Sequence, residues 1–194
     1  MPDKYKGIKF TVSLIERKRL DYKEIDELIK WCRQFHELGL APAYEGGSSG
    51  NLSFRIGKNF VITAAKTALG SITRNDFVEV VFCDMEKKQI AAIGLKEPSS
   101  ETMLHSAIYK ARPDVNAVFH GHDENVMKCL EELDIVATEE EKPYGTVELV
   151  EEVLKVLGNN YYVVMKNHGF IALGKTMEQA GENAIEMYKK SVKA

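Results

Sequence analysis

The sequence predicts an α/β fold in which helices pack on a mixed or antiparallel sheet. Apolar residues recur at helical spacing in several segments, and strand-like runs separate these segments. Most of the strand-like runs come as hairpin-like neighbours rather than as a repeating strand-helix-strand series. With 194 residues, of which 44% are hydrophobic, the chain is most simply a single domain over 1–194 with a sizeable core.

The N-terminal half is predicted to contain one extra strand, one helix and two hairpins. Residues 1–20 form an N-terminal extension whose apolar residues alternate with polar ones, which predicts a strand between Ile8 and Leu14. A helix over 21–38 follows and ends at Gly39. The predicted hairpins pair 53–56 with 60–63 and 77–83 with 89–93.

A loop rich in glycine and serine is predicted over 45–53. Its glycines let backbone N–H groups approach a ligand closely, and Asn51 adds a side-chain donor. Such a loop can hold a phosphate or a carboxylate. No Gly-Lys-Ser/Thr follows, so it is not a P-loop, and taken alone it could also be a flexible connection.

The stretch 97–123 carries three of the five histidines. Ser99 or Ser100 is predicted to cap a helix that stops at Arg112-Pro113, so Glu101 lies near a helix N-terminus that favours its carboxylate. A strand over 115–122 follows. Its residues His120 and His122 would point to the same side, where two imidazoles can bind one ion of zinc, copper, iron or nickel. Alternatively, one histidine is a core residue and the other faces water.

The C-terminal part is predicted to supply a third candidate ligand, His168, in the turn between strands over 161–165 and 170–173. Three histidines with one open position are typical of a catalytic rather than a structural zinc site. Thr146 caps a helix to Leu157, a short helical piece precedes it at 126–133, and Thr176 with Gln179 forms a capping box for a final helix to Lys190. His105 shares a helix face with Glu101 and is interpreted as structural.

Composition excludes several classes of function. The formal net charge of −3 and the pI near 6.0 provide no electrostatic footprint for nucleic acid. No apolar run reaches the length of a membrane span, and the N-terminus lacks an apolar signal core, so no membrane partner is expected. Three scattered cysteines favour reduced thiols and a cytoplasmic protein.

Five motifs occur in order between about residues 21 and 190. They are Gly-Asn-Leu-Ser (50–53), Ser-Ser-Glu (99–101), Arg-Pro-Asp-Val-Asn-Ala-Val-Phe-His-Gly-His (112–122), Gly-Thr-x-Glu-Leu (145–149) and Lys-Asn-His-Gly (166–169). Together they resemble the class II aldolase/adducin family. The resemblance implies a three-layer α/β/α fold around a largely antiparallel sheet. It also implies a homotetramer with active sites at the subunit interfaces.

The resemblance further implies a metal-dependent aldolase-type lyase that cleaves a carbon–carbon bond in a small sugar phosphate. One Zn²⁺ or another divalent transition metal ion per chain would stabilise the charge that develops on an enediolate. The implied metal ligands are His120, His122, His168 and Glu101. Glu101 is also the implied catalytic base. The positions that match the family's phosphate contacts are Gly50, Asn51, Ser99 and Ser100.

Two departures from the family pattern leave details open. Ala65-Lys66 stands where the aldolases commonly have Thr or Ser followed by Gly. Lys66 could replace the missing phosphate contact, meet a substrate carboxylate or be a solvated surface residue. The segment 123–144 is short, and Tyr144 is its only tyrosine, a weak candidate for the proton donor that could instead simply pack.

Three alternatives use the same scaffold. A sugar-phosphate dehydratase would also keep Glu101. A pentulose-phosphate 4-epimerase usually has Asp at that position. A non-catalytic adducin-like binding module would be expected to lack the histidine ligands, which are all present here.

Overall fold

The computed structural model describes residues 9–193, which form an α/β fold with one eight-stranded and one two-stranded sheet. The strands are β1 (Thr11–Glu16), β2 (Ala43–Tyr44), β3 (Gly47–Ser48), β4 (Asn51–Ile56), β5 (Asn59–Thr63), β6 (Phe77–Asp84), β7 (Gln89–Gly94), β8 (Ala117–Gly121), β9 (Tyr162–Met165) and β10 (Gly169–Gly174). The α-helices of this part are α1 (Ile25–Glu37), α2 (Thr102–Ala111), α3 (Glu124–Lys128), α4 (Val147–Leu157) and α5 (Met177–Ser191).

The large sheet is mixed, with the strand order β1-β7-β6-β5-β4-β8-β10-β9. The edge strand β1 runs parallel to β7, whereas the other neighbours in the sheet pair antiparallel. Both predicted hairpins are present, as β4–β5 and β6–β7. The predicted N-terminal strand is found at Thr11–Glu16, and its predicted start at Ile8 lies outside the described residues.

Two apolar clusters form the core, and consecutive residues of β8 separate them. Ala117 and Phe119 belong to one cluster, together with buried residues of α1 and α5. Val118 belongs to the other, together with buried residues of α2 and α4. Because successive side chains of a strand point to opposite faces, the two clusters lie on opposite sides of β8.

The prediction of a loop through residue 53 is wrong. β3 and the start of β4 lie within that segment, and Asn51 and Ser53 are buried on β4. Asn51 is paired with His120 across β4 and β8. Polar residues usually mark exposure, but these two are buried because their side chains have hydrogen-bond partners inside the molecule.

Several helix ends differ from the prediction. α2 begins at Thr102 with Glu101 at the N-cap position, and neither serine caps it: the Ser99 hydroxyl accepts a hydrogen bond from the Glu101 N–H instead. Thr146 caps α4 as predicted. Thr176 caps α5, but Gln179 accepts from the Lys175 N–H, so the reciprocal half of the capping box is absent at this cap.

Two further observations concern the composition. The three cysteines, Cys32, Cys83 and Cys129, are free thiols. Among the helices of the described residues, none has the length and apolar character needed to cross a bilayer.

Candidate metal centre

Four side chains from three parts of the fold converge where β8 ends and β10 begins, at one edge of the large sheet. Glu101 lies at the N-cap of α2, His120 lies on β8, His122 follows β8 directly, and His168 lies in the turn between β9 and β10. The strands β8 and β10 are neighbours, so the three histidines predicted from the sequence are brought to one place.

The donor atoms of this cluster face one another. The Nε2 atom of His120 lies 3.1 Å from Nε2 of His122 and 3.3 Å from Nε2 of His168. The carboxylate of Glu101 completes the group. Its Oε2 atom lies 3.1 Å from Nε2 of His120, and its Oε1 atom lies 3.2 Å from Nε2 of His168. One donor atom from each histidine lies within 4.8 Å of the others. Three imidazole nitrogens and a carboxylate are a donor set that suits Zn²⁺ and related divalent ions, so these residues fit a metal.

Glycines allow the close backbone approach on which the cluster depends. A Cβ atom added at Gly121, between the two histidines of β8, would lie 2.6 Å from the ring of Phe170 and 2.9 Å from the Leu40 carbonyl oxygen. A Cβ atom at Gly169 would collide with the Gly121 carbonyl oxygen. Any larger residue at these positions would push β8 and β10 apart, and with them the histidines that they carry.

Hydrogen bonds outside the cluster orient its side chains. His120 Nδ1 lies 2.8 Å from the backbone carbonyl oxygen of Phe170, which can only accept, so Nδ1 carries the proton and Nε2 keeps its lone pair for a metal. Asn51 Nδ2 donates to Glu101 Oε2 at 2.8 Å. The Phe170 carbonyl was not predicted from the sequence, because a backbone acceptor carries no residue-type signal.

The electrostatics of the cluster favour ligands in their metal-binding forms. Burial by itself would raise the pKa of Glu101, but the nearby His120 and His168 side chains and the hydrogen bond from Asn51 hold that pKa well below its ordinary value. Burial lowers the pKa of His120 and, together with the neighbouring imidazoles, lowers that of His122 well below its usual range. A carboxylate beside the neutral imidazoles of His120 and His122 is therefore the expected charge state.

Of the residues predicted to contact phosphate, four lie next to residues of this cluster in sequence or in space, and Lys66 lies on a neighbouring loop. Ser99 and Ser100 are buried directly before Glu101. Gly50 has a φ of +89°, and a Cβ there would lie 2.8 Å from the His120 carbonyl oxygen. Lys66 is exposed, with a φ of +54°. Its loop is tied to the segment before Ser99, because the Ala65 N–H donates to the Glu97 carbonyl at 2.9 Å.

His105 belongs to a different network, which sequence reasoning did not find. Its Nδ1 atom lies 2.7 Å from Ser53 Oγ, which in turn lies 2.8 Å from the Tyr109 hydroxyl. All three residues are buried, and burial lowers the pKa of His105 to about 3. His105 lies outside the histidine cluster, in agreement with its interpretation as a structural residue.

Comparisons with known proteins agree with this geometry. The model of the family described as Class II Aldolase and Adducin N-terminal domain matches residues 26–190. In three dimensions, the crystal structure of a sugar-phosphate aldolase from Thermotoga maritima superposes with a TM-score of 0.72 at 21% identity. It covers 88% of this chain and 92% of that one, and the likeness shows a shared fold.

Curated relatives include enzymes with different reactions. The chain is 30% identical to an L-fuculose phosphate aldolase of Methanococcus maripaludis, over 81% of this chain and 88% of the relative. It is also 30% identical to a 5-methylthioribulose-1-phosphate/5-deoxyribulose-1-phosphate aldolase of Escherichia coli, over 81% of this chain and 76% of the relative. A 3-oxo-tetronate 4-phosphate decarboxylase of Haemophilus influenzae is 27% identical, over 86% of this chain and 84% of the relative. The chain therefore belongs to the class II aldolase/adducin family.

Proposed function

We propose that this protein is a metal-dependent aldolase-type lyase that cleaves a carbon–carbon bond in a small sugar phosphate. The observation that carries the proposal is the meeting of the buried Glu101 with three histidine Nε2 atoms in one partly buried cluster. Family membership supports the aldolase-type reaction, and the sugar-phosphate aldolases among its relatives support the substrate class.

His120, His122, His168 and Glu101 would hold one divalent ion, Zn²⁺ or another transition metal. When bound, such an ion supplies Lewis-acid stabilisation of the negative charge that develops on the substrate during cleavage. Neutral imidazoles leave the positive charge of the ion largely intact, and the lowered pKa values of His120 and His122 keep these imidazoles neutral.

Glu101 is proposed as the catalytic base. Its pKa is held well below the ordinary value, so the carboxylate is ionised at neutral pH and can accept a proton. The hydrogen bond from Asn51 Nδ2 fixes one carboxylate oxygen and so orients the group toward the cluster. Glu101 at the N-cap of α2 also faces the positive end of the helix dipole, which favours the ionised form.

The phosphate of the substrate is proposed to lie against the loops next to Glu101. The assigned positions are Gly50, Asn51, Ser99, Ser100 and Lys66. Contacts of the 64–67 loop with Glu97 and with Ser48 support this assignment, because they gather these segments beside the base. The Lys66 ammonium would supply a point charge where the other aldolases commonly use a hydroxyl and a glycine.

A decarboxylase is the second candidate. The 27% identity to the Haemophilus influenzae decarboxylase favours it, and Lys66 is a cation that suits a substrate carboxylate. A dehydratase remains a third reaction for the same carboxylate and metal. A 4-epimerase is disfavoured by Glu101, and a binding module is disfavoured by the intact set of ligands.

The proposal includes the assembly and architecture implied by the family. We expect a homotetramer with active sites at the subunit interfaces, a three-layer α/β/α arrangement and a largely antiparallel sheet. The two apolar clusters support the layers, and the antiparallel pairing of all neighbouring strands other than β1 and β7 in the large sheet supports the largely antiparallel character. A cytoplasmic location stays a prediction from the cysteine pattern.

The test is the release of dihydroxyacetone phosphate from a panel of ketose 1-phosphates by metal-loaded protein. Glu101→Gln should reduce kcat by about 100-fold or more, because the base is lost. Glu97→Gln removes an exposed carboxylate four positions upstream and should leave kcat unchanged. Unchanged turnover in Glu101→Gln would overturn the assignment of the base. Release of carbon dioxide from 3-oxo acid phosphates, without aldol cleavage, would favour the decarboxylase.

A further inference from the structure

A lysine outside the region matched by the family touches the loop beside the candidate site. Lys9 precedes β1, whereas the family match begins at residue 26. Its Nζ atom donates to the Tyr144 carbonyl oxygen at 2.6 Å and lies 4.3 Å from the centre of the Tyr144 ring. Pairing of β1 with β7 fixes the adjacent chain, since the Thr11 N–H donates to the Lys88 carbonyl at 2.8 Å.

The Tyr144 turn packs directly on the segment that carries Glu101. Gly145 has a φ of +65°, and a Cβ atom there would lie 2.7 Å from the Ser100 carbonyl oxygen. The other side of the turn is fixed to α4, because Thr146 Oγ1 donates to the Pro143 carbonyl and accepts from the Leu149 N–H. The Ser100 carbonyl belongs to the peptide bond between Ser100 and Glu101. The contact of Gly145 with this carbonyl therefore restricts the backbone next to the proposed base.

We propose that Lys9 is a positioning residue for the candidate site. Its ammonium holds the turn 143–146 against the Ser100 carbonyl through a charge-assisted hydrogen bond and a contact with the Tyr144 ring. The turn 143–146 then fixes the segment 99–101, which carries two of the proposed phosphate contacts and the proposed base. Lys9 acts through Tyr144 and Gly145 rather than on the substrate. The catalytic consequence rests on the proposed function, but the contact itself does not.

The contact is tested by hydrogen exchange of the metal-loaded, substrate-free protein. Lys9→Met removes the cation and should speed exchange by about tenfold in peptides covering 143–146 and 97–104. Lys9→Arg keeps a cation and should exchange close to the wild-type rate. Lys18→Met is the matched control, because Lys18 lies on the same segment but pairs with Glu16 at an exposed site.

Unchanged exchange in Lys9→Met would overturn the proposal. Faster exchange in 143–146 without any change in 97–104 would overturn the link to Glu101. On whichever sugar phosphate the protein turns over, Lys9→Met should raise KM by about tenfold with a smaller change in kcat, and Lys9→Arg should restore it. If the wild type turns over none of the panel, the proposed function fails, while the exchange experiment still decides the role of Lys9.

Discussion

The histidines at the end of β8 and the histidine of α2 have different surroundings. His120 and His122 turn their Nε2 atoms toward each other and toward His168. His105 instead turns its Nδ1 atom to the Ser53 hydroxyl, within a buried network that includes Tyr109. Spacing predicted this difference in part, since residues i and i+2 of a strand share a face.

The contrast between His122 and His105 is testable. His122→Ala should abolish tight metal binding while leaving the free energy of unfolding of the metal-free protein nearly unchanged, because His122 lies at the end of a strand and is only partly buried. His105→Ala should retain the metal but lower the free energy of unfolding by about 2–4 kcal/mol, because it leaves a cavity and removes a buried hydrogen bond. The measurements are elemental analysis after dialysis and urea unfolding.

His36→Ala is the control for this pair, because His36 is an exposed histidine of α1 outside the cluster. Both quantities should be unchanged in it. Equal loss of metal from His105→Ala and His122→Ala would contradict the separation of the two networks.

The side chains of the cluster could be predicted from the sequence, but their hydrogen-bond partners could not. The three histidines and Glu101 were predicted because their chemistry is specific to their side chains. The acceptor that orients His120 is a backbone carbonyl of Phe170, which any residue could provide. The partner of Asn51 is Glu101, fifty positions away, and no local pattern indicates that pairing.

At the level of elements, the strands and helices were largely predictable, and their polar ends were not. Hydrophobic periodicity identified both hairpins and the body of each long helix. It failed at 45–53 because β4 turns Asn51 and Ser53 into the interior, where they serve Glu101 and His105. Alternation of polarity predicts exposure, but here the polar side chains are buried because they have hydrogen-bond partners in the interior.

The approach of β8 to β10 yields a prediction at this scale. Gly121→Ala should lower the free energy of unfolding by about 1–3 kcal/mol, because the added Cβ collides with Phe170 and the Leu40 carbonyl. It should also weaken metal binding, since His120 and His122 flank the position. Urea unfolding and titration with Zn²⁺ measure the two effects.

Gly57→Ala is the control for Gly121→Ala, because it introduces backbone strain without changing the metal site. Nothing lies within 4 Å of a Cβ at Gly57, and the cost there arises only from its φ of +57°, about 1 kcal/mol. Gly57→Ala should therefore lose some stability and keep its full metal affinity. Wild-type metal affinity in Gly121→Ala would contradict the role given to the β8–β10 contact.

In the whole molecule, the histidine cluster lies beside three consecutive strands of the large sheet, β4, β8 and β10. Hairpins can be predicted because their strands are adjacent in sequence, but β4–β8 and the parallel β1–β7 pair join distant segments. Periodicity predicts that strands exist and does not say which of them pair across the chain. The sequence left a mixed and an antiparallel sheet both open, and the strand order with its parallel β1–β7 pair is visible only in the structure.

The most direct test of the central claim is the metal content per chain of untagged protein purified without chelators, measured by elemental analysis. We expect about one zinc or other divalent transition metal ion per chain, held by the three histidines and Glu101. Protein that contains no metal, and takes up none on incubation with Zn²⁺ or other divalent transition metals, would contradict it. The histidine cluster would then be structural, and the non-catalytic binding module would be the better account.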